Sequence, residues 1–248
     1  MTEYKFEKYF VKEKHDMNYA LILSGGKGIR LGSDIPKQYI DVNGKPIIIY
    51  AIETIGAMRE FEKLVIVLAP AWQDFVQAKL SDKSFANKCL FAKGGDSRQE
   101  SIFNGLKKIE EFASSDDTVL VHDGARPLVS QAVILRCLEG TKRFDGVMSG
   151  IAVKDTVYVT DDGERISGTL DRNKLFGGQT PEAFNFGKYL KAHKESSFDE
   201  IASYRGSSEI AFIHGMSMGL VKGDERNFKI TTSVDLENFR HIVMEVEK

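Results

Sequence analysis

Short apolar runs and stretches of helical periodicity alternate along this chain from Tyr19 onward. The runs YALIL (19–23), KLVIVL (63–68), CLFA (89–92), TVLVH (118–122) and GVMSGIAV (146–153) are nearly free of polar alternation, so each reads as a strand buried on both faces. Helix-like segments fall between them at 45–58, opening at Pro46, and at 71–80, 98–112 and 130–140. Such an alternation predicts an α/β domain with a mostly parallel sheet and helices on both faces. Residues 153–170 break the pattern: two β-rich stretches flank Asp161-Asp162-Gly163, a turn signal, and the segment is too polar to be core on both faces. It reads as a β-hairpin arm, about 153–171, that leaves the sheet. The last segment, 233–247, places Leu236, Phe239, Ile242, Val243 and Val246 on one helical face.

Residues 1–16 differ from the rest, with Tyr4, Phe6, Tyr9 and Phe10 set among Lys and Glu. They form a separate extension before a domain spanning 17–248, and read equally as an added helix, a tail, or a stretch preceding a start at Met17. Composition narrows the class of partner. With 42% hydrophobic against 28% charged residues, the chain has the balance of a globular domain. A net charge of −2 gives no general basic field for nucleic acid, and no apolar run reaches the ~20 residues of a bilayer span. A charged N-terminal stretch without an apolar core points to a cytoplasmic protein. Its two cysteines, Cys89 and Cys137, are expected to be reduced core thiols.

Chemistry concentrates after the strands. The first strand runs into SGGKGIRLGSDIPKQY, in which Gly25, Gly26, Gly28 and Gly32 allow backbone N–H groups close to an anion and Lys27, Arg30 and Lys37 add three cations. Neither a dinucleotide fingerprint nor a P-loop fits these spacings. Gly94-Gly95-Asp96-Ser97-Arg98 precedes a helix start with Ser101 one turn on, a place for a base edge or a phosphate, or simply a cap. His122-Asp123-Gly124-Ala125-Arg126-Pro127 ends the fourth strand, where Asp123 is placed for Mg²⁺ or a ribose hydroxyl and His122 reads as structural.

The order of glycine loop, PKQ, GGxxR, HDxARP, Asp155-Thr156, Asp171-Arg172, Gln179-Thr180-Pro181 and Asn227-x-Lys229-Ile230-Thr231 resembles the 2-C-methyl-D-erythritol 4-phosphate cytidylyltransferase family, together with the related ribitol-5-phosphate cytidylyltransferases. The resemblance runs from about Met17 onward. It implies a Rossmann-like nucleotidyltransferase fold and Mg²⁺-dependent coupling of CTP to a polyol phosphate, with methylerythritol phosphate and isoprenoid precursor synthesis the first expectation and CDP-ribitol synthesis the second. By the same resemblance, Arg30, Lys37 and Lys229 are the catalytic cations. Ser24, Gly25, Gly26, Gly28, Gly94, Gly95, Asp96, Arg98, Ser101 and Asp123 hold CTP, and Asp123 also holds the metal. Asp123, Arg126, Thr156, Arg172 and Thr180 hold the polyol phosphate, and the arm joins a homodimer in which Thr156 or Arg172 serves the neighbouring subunit. Ser207-Ser208-Glu209 departs from the family's Thr-Asp-Asp/Glu stretch by losing an acid, which weakens the expectation for the polyol. The other readings of the same residues are a nucleotidyltransferase for another base and a non-catalytic nucleotide-binding protein.

Overall fold

The structure, a computed structural model, describes residues 16–26 and 35–246. Its centre is a seven-stranded sheet. In chain order the strands are β1 (Asn18–Ser24), β4 (Phe61–Leu68), β5 (Cys89–Lys93), β6 (Thr118–Asp123), β7 (Gly146–Ala152), β10 (Phe176–Asn185) and β11 (Met218–Lys222). Spatially they run β11-β7-β10-β6-β1-β4-β5. All pairings are parallel except those of β10, which runs antiparallel to both β6 and β7. Two small antiparallel pairs lie outside it, β2 (Asp41–Val42) with β3 (Lys45–Pro46), and β8 (Val157–Val159) with β9 (Gly168–Leu170).

The period of two along each strand sorts the core into two layers. Ala20, Ile22, Leu64, Ile66 and Leu120 face one way, onto α1 (Ile47–Gly56), α2 (Gln73–Leu80) and α4 (Gln131–Gly140). Tyr19, Leu21, Val65, Val67, Val119 and Val121 face the other, onto α3 (Arg98–Glu110), α5 (Phe186–Glu195) and α7 (Ser207–Ile213). A short α6 (Phe198–Ser203), closed by a Ser197–Glu200 capping box, joins the last two. Helix α3 lies so close to the sheet that a Cβ on Gly105 would stand 2.1 Å from Leu21 Cδ1. The last helix, α8 (Ser233–Val246), buries Leu236, Phe239 and Val243 against Val42, Ile47 and Ile230.

Several expectations need correction. The strand β10 was not foreseen: its FGGQTPEAFN sequence carries two glycines and a proline, and its outer third is exposed. Pro181 is accommodated by a cis bond after Thr180, where the ladder with β7 shifts register. The hairpin forms, but β8 and β9 are three residues each and pair Val157 with Leu170, so the connection is longer than a tight turn at 161–163. Gly163, at φ 81°, takes the left-handed position within it. Cys89 is half-buried rather than core, Cys137 is buried, and both are free thiols. Burial pushes Cys137 up to about 12 and Cys89 to about 11. Residues 1–15, which contain nearly all of the expected extension, lie outside the described residues, as do Lys27, Gly28, Arg30 and Gly32 of the glycine loop.

Candidate active site

The carboxyl ends of β1 and β6 and the loop after β5 open into one cleft of 520 Å³, the position at which α/β sheets bind ligands. Its walls are Leu23–Gly26, Lys37, Gln38, Gly95–Arg98, Ser101, Asp123, Ala125 and Lys229. Three loops must cross here, and two glycines allow it. A Cβ on Gly25 would lie 3.1 Å from Ser101 Oγ, and one on Gly94 would lie 3.2 Å from Gly25 Cα. Gly25 and Gly94 are thus needed for the two loops to touch, whereas Gly26 faces open space. Gln38, the last residue of PKQ and given no role by the sequence, pins the glycine strand: its amide donates to Ser24 O at 2.9 Å and to Gly26 O at 2.8 Å.

Asp123 is the electrostatic centre. Arg98, at the start of α3, donates to Oδ1 from Nε at 3.2 Å and from Nη2 at 3.0 Å. Lys229 donates to Oδ2 at 2.8 Å. Burial alone would raise the carboxyl pKa, but Arg98, Lys229 and Arg126 together hold it well below the usual range, so Asp123 is an anion. Lys37, on a 3₁₀ turn at Lys37–Tyr39, donates to Ile230 O at 2.5 Å and so stands next to the segment that carries Lys229. Ser101 Oγ accepts from Gly95 N at 3.0 Å and donates to Ser97 O at 2.9 Å, which shapes the 94–97 turn.

Behind Asp123 the polar groups form a closed relay. Arg126 O can only accept, so the His122 Nε2 beside it, at 3.0 Å, carries the ring proton. His122 Nδ1 then accepts from Thr180 Oγ1 at 3.3 Å, and Thr180 Oγ1 accepts from Asp123 N at 3.0 Å. The ring is neutral because burial pulls its pKa down to about 4. Thr180 is therefore part of the support for Asp123 and does not line the cleft, contrary to the expectation of a direct substrate contact. Arg126, expected on the polyol phosphate, likewise does not line the cleft. It donates from Nη1 to Asn227 O at 2.7 Å, and Asn227 Nδ2 donates to Thr180 O at 2.7 Å, which ties the 227–230 segment to β10.

Two further expected residues lie elsewhere. Thr156 and Arg172 are exposed on the arm, with Arg172 Nη1 donating to Lys154 O at 2.8 Å, and neither lines the cleft of this chain. The 207–209 segment does approach it. Ser207 Oγ accepts from Arg98 Nη1 at 2.6 Å, and Glu209 is occupied by the cap of α7, where Oε2 accepts from Arg205 N and Gly206 N. Magnesium commonly takes one or two carboxylates plus phosphate oxygens. Asp123 fits that role as an ionised side chain on the cleft wall with accepting capacity on Oδ2 beyond the Lys229 bond, and Asp96 lines the same wall. Among the described residues no three His, Cys, Asp or Glu side chains cluster as a metal site.

A cleft at parallel strand ends, ringed by cations around one ionised acid, with its histidine neutral and buried, is the setting of an α/β nucleotidyltransferase. The chain matches the family model of 2-C-methyl-D-erythritol 4-phosphate cytidylyltransferase over residues 19–245. It is 35% identical over 217 residues to the enzyme of that description from Clostridium beijerinckii, covering 88% of this chain and 94% of that one. It is 33% identical over 229 residues to a ribitol-5-phosphate cytidylyltransferase from Vibrio parahaemolyticus, covering 92% and 96%. Among solved structures, the Francisella tularensis 2-C-methyl-D-erythritol 4-phosphate cytidylyltransferase superposes with a TM-score of 0.75 at 29% identity, over 91% of this chain and all of that one. The chain belongs to the 2-C-methyl-D-erythritol 4-phosphate cytidylyltransferase family and is a cytidylyltransferase.

Proposed function

We propose that this enzyme transfers the cytidylyl group of CTP to 2-C-methyl-D-erythritol 4-phosphate, giving the CDP-alcohol and pyrophosphate for isoprenoid precursor synthesis. The observation that carries the reading is the convergence of Lys37, Arg98 and Lys229 on a cleft whose one ion-paired acid is Asp123. An oxygen of the acceptor phosphate, already deprotonated because its second pKa is about 6, attacks the α-phosphorus. A P–O bond forms there as the α–β bridging P–O bond breaks and pyrophosphate leaves. No general base is required, so catalysis is placement and charge stabilisation. Lys37 and Arg30 neutralise the α- and β-phosphates, and Lys229 screens the two anions as they approach. Gly25, Gly26, Gly95, Asp96, Arg98 and Ser101 seat the nucleotide. Asp123 holds Mg²⁺, which when bound supplies charge neutralisation on the triphosphate.

The acceptor phosphate is gripped by residues brought from the arm, Thr156 and Arg172, across a twofold homodimer. Exposed Tyr158, Ile166, Leu170 and Phe176 along the arm support that assembly, since they have no cover in one chain. Ribitol 5-phosphate is the second reading. It is favoured by one feature: Glu209 is spent on the α7 cap, so the 207–209 segment has no free acid to offer a polyol. Pyrophosphate release with CTP and each of methylerythritol 4-phosphate, ribitol 5-phosphate and glycerol phosphate separates the two. The expected result is about 10²-fold or more in kcat/KM in favour of methylerythritol phosphate. Faster turnover of ribitol 5-phosphate would reverse the choice of substrate, and turnover of none would reject polyol phosphates.

A further inference from the structure

Gln38 has no part in the steps above, yet it is 4% exposed and sits between two of their components. Its amide nitrogen donates to Ser24 O at 2.9 Å and to Gly26 O at 2.8 Å. Both partners are carbonyls, which only accept, so the nitrogen end of the amide is fixed on their side and both its protons are committed. Ser24 is also held without Gln38: it ends the β1 ladder opposite Leu68, and its hydroxyl donates to Tyr39 Oη at 3.0 Å. Gly26 lies beyond that ladder and faces open space, so the bond from Gln38 ties its carbonyl to the fold. A trans peptide sets its N–H opposite its C=O, so drawing the Ser24 carbonyl onto Gln38 turns the Gly25 N–H away from it.

Through its backbone, Gln38 belongs to a different element. It is the middle residue of the 3₁₀ turn Lys37–Tyr39, closed by Tyr39 N to Pro36 O at 2.9 Å, and its neighbour Lys37 reaches Ile230 O at 2.5 Å. That turn is held in place, because the Tyr39 ring lies flat on Trp72 with centroids 4.2 Å apart and planes 13° apart. We propose that Gln38 is a positioning residue for cytidylyl transfer: its side chain holds the glycine turn, its backbone carries Lys37, and the one residue thereby sets the spacing between the seated triphosphate and the lysine that neutralises it. The inference rests on the cleft being the CTP site. A residue that only seats the nucleotide changes KM and leaves kcat alone, whereas one that aligns a transition-state cation lowers kcat as well.

Gln38→Met keeps the length of the side chain and removes both donors. Assayed well below its thermal midpoint, it should lose about thirtyfold in kcat/KM for CTP, the scale of two hydrogen bonds, with about tenfold of that in kcat. Gln38→Glu, assayed at about pH 8, sets lone pairs against the two carbonyls in place of donors and should lose more. Tyr39→Phe removes the Tyr39 bonds to Ser24 and leaves Gly26 tied, so it should stay within about threefold of the parent. Turnover of Gln38→Met within about twofold of the parent, a loss confined to KM, or a Tyr39→Phe loss equal to that of Gln38→Met would each overturn the proposal. A second measurement needs no nucleotide. The backbone amide order parameters of Gly25 and Gly26 should match those of the sheet in the parent and in Tyr39→Phe, and fall below about 0.6 in Gln38→Met. Unchanged order in Gln38→Met would overturn the proposal. Failure of the parent to turn over CTP would count against the assigned function, while the order parameters would still decide the role of Gln38. Should neither Gln38 variant fold, the Gln38 Nε2 protons of the parent carry the test: slow exchange with water is expected, and exchange as fast as that of an exposed glutamine would overturn it.

Discussion

At the floor of the cleft, Asp123 is 7% exposed, and both its oxygens, its backbone N–H and the groups behind it are engaged by side chains from α3, β10 and the 227–230 segment. On the arm, Thr156 and Arg172 stand in solvent and Arg172 holds only the carbonyl of Lys154. The two regions carry the same kinds of residue but differ in how geometry is enforced. An ion pair withdrawn from water costs about 3–5 kcal/mol to break from one side, whereas an exposed pair is worth about 0–1 kcal/mol. The cleft is organised within one chain. A two-stranded ribbon such as β8–β9 has little stability of its own and acquires a fixed position only by packing on something else.

That contrast is open to direct attack. Lys37→Ala should lower kcat by roughly 10²-fold or more while CTP affinity changes far less, because the charge it meets develops in the transition state. Near-normal turnover in stopped assays would take Lys37 out of the chemistry. Replacing residues 156–167 by a short glycine-serine link should give a monomer in sedimentation with at least about tenfold lower activity, and a dimer of unchanged activity would make the arm dispensable. Arg172→Ala should raise the KM for the acceptor phosphate about tenfold and leave CTP affinity alone. At acceptor concentrations well below KM, mixing Arg172→Ala with Lys37→Ala subunits should give more activity than the two measured apart if Arg172 serves the neighbouring site. No recovery on mixing would place Arg172 in its own chain's site.

A test of pH leaves the chemistry aside and isolates the buried side of the comparison. His122 and His193 both have pKa values pulled down to about 4 by burial, from an ordinary 6.5. Between these values the unfolded chain binds protons that the folded chain refuses. Stability is therefore whole above about pH 6.5 and falls as pH drops toward 4, by about 2 kcal/mol per histidine at pH 5. Thermal melts at pH 7 and pH 5 should differ by several degrees, and His193→Gln should reduce the difference. Equal midpoints at the two pH values would show that neither ring is held neutral.

Sequence pattern located β1, β4 and β6 because strands buried on both faces leave continuous apolar runs, and it located Asp123 and the glycine turn because both follow such runs; β5, read the same way, forms but is a half-buried strand at the sheet edge. It missed β10, whose outer part is exposed and whose interior holds Pro181, and β11, with only five mixed residues. It gave no sign that the cations on Asp123 would be Arg98 and Lys229, which arrive from distant segments. Proximity along a chain carries little information about contacts made across a sheet. Gln38 and Ser207 stand in stretches the sequence did single out, PKQ and 207–209, but nothing local reveals their contacts, which exist only once distant segments meet. The missing acid at 207–209 read as a loss, and in the fold a buried acid lies directly behind that turn.

Lys229 reaches Asp123 from a segment clamped on one side by Arg126 and Asn227 and on the other by Ile230, which packs with the inner face of α8. Synthesis proceeds from the other end, so the glycine turn, Arg98 and Asp123 leave the ribosome well before the residue that completes their charge balance. Until α8 emerges and docks, the nascent sheet carries a half-built cleft with an acid short of one cation. A polypeptide stalled before Leu236 would therefore lack the apolar face against which Ile230, next to Lys229, is packed.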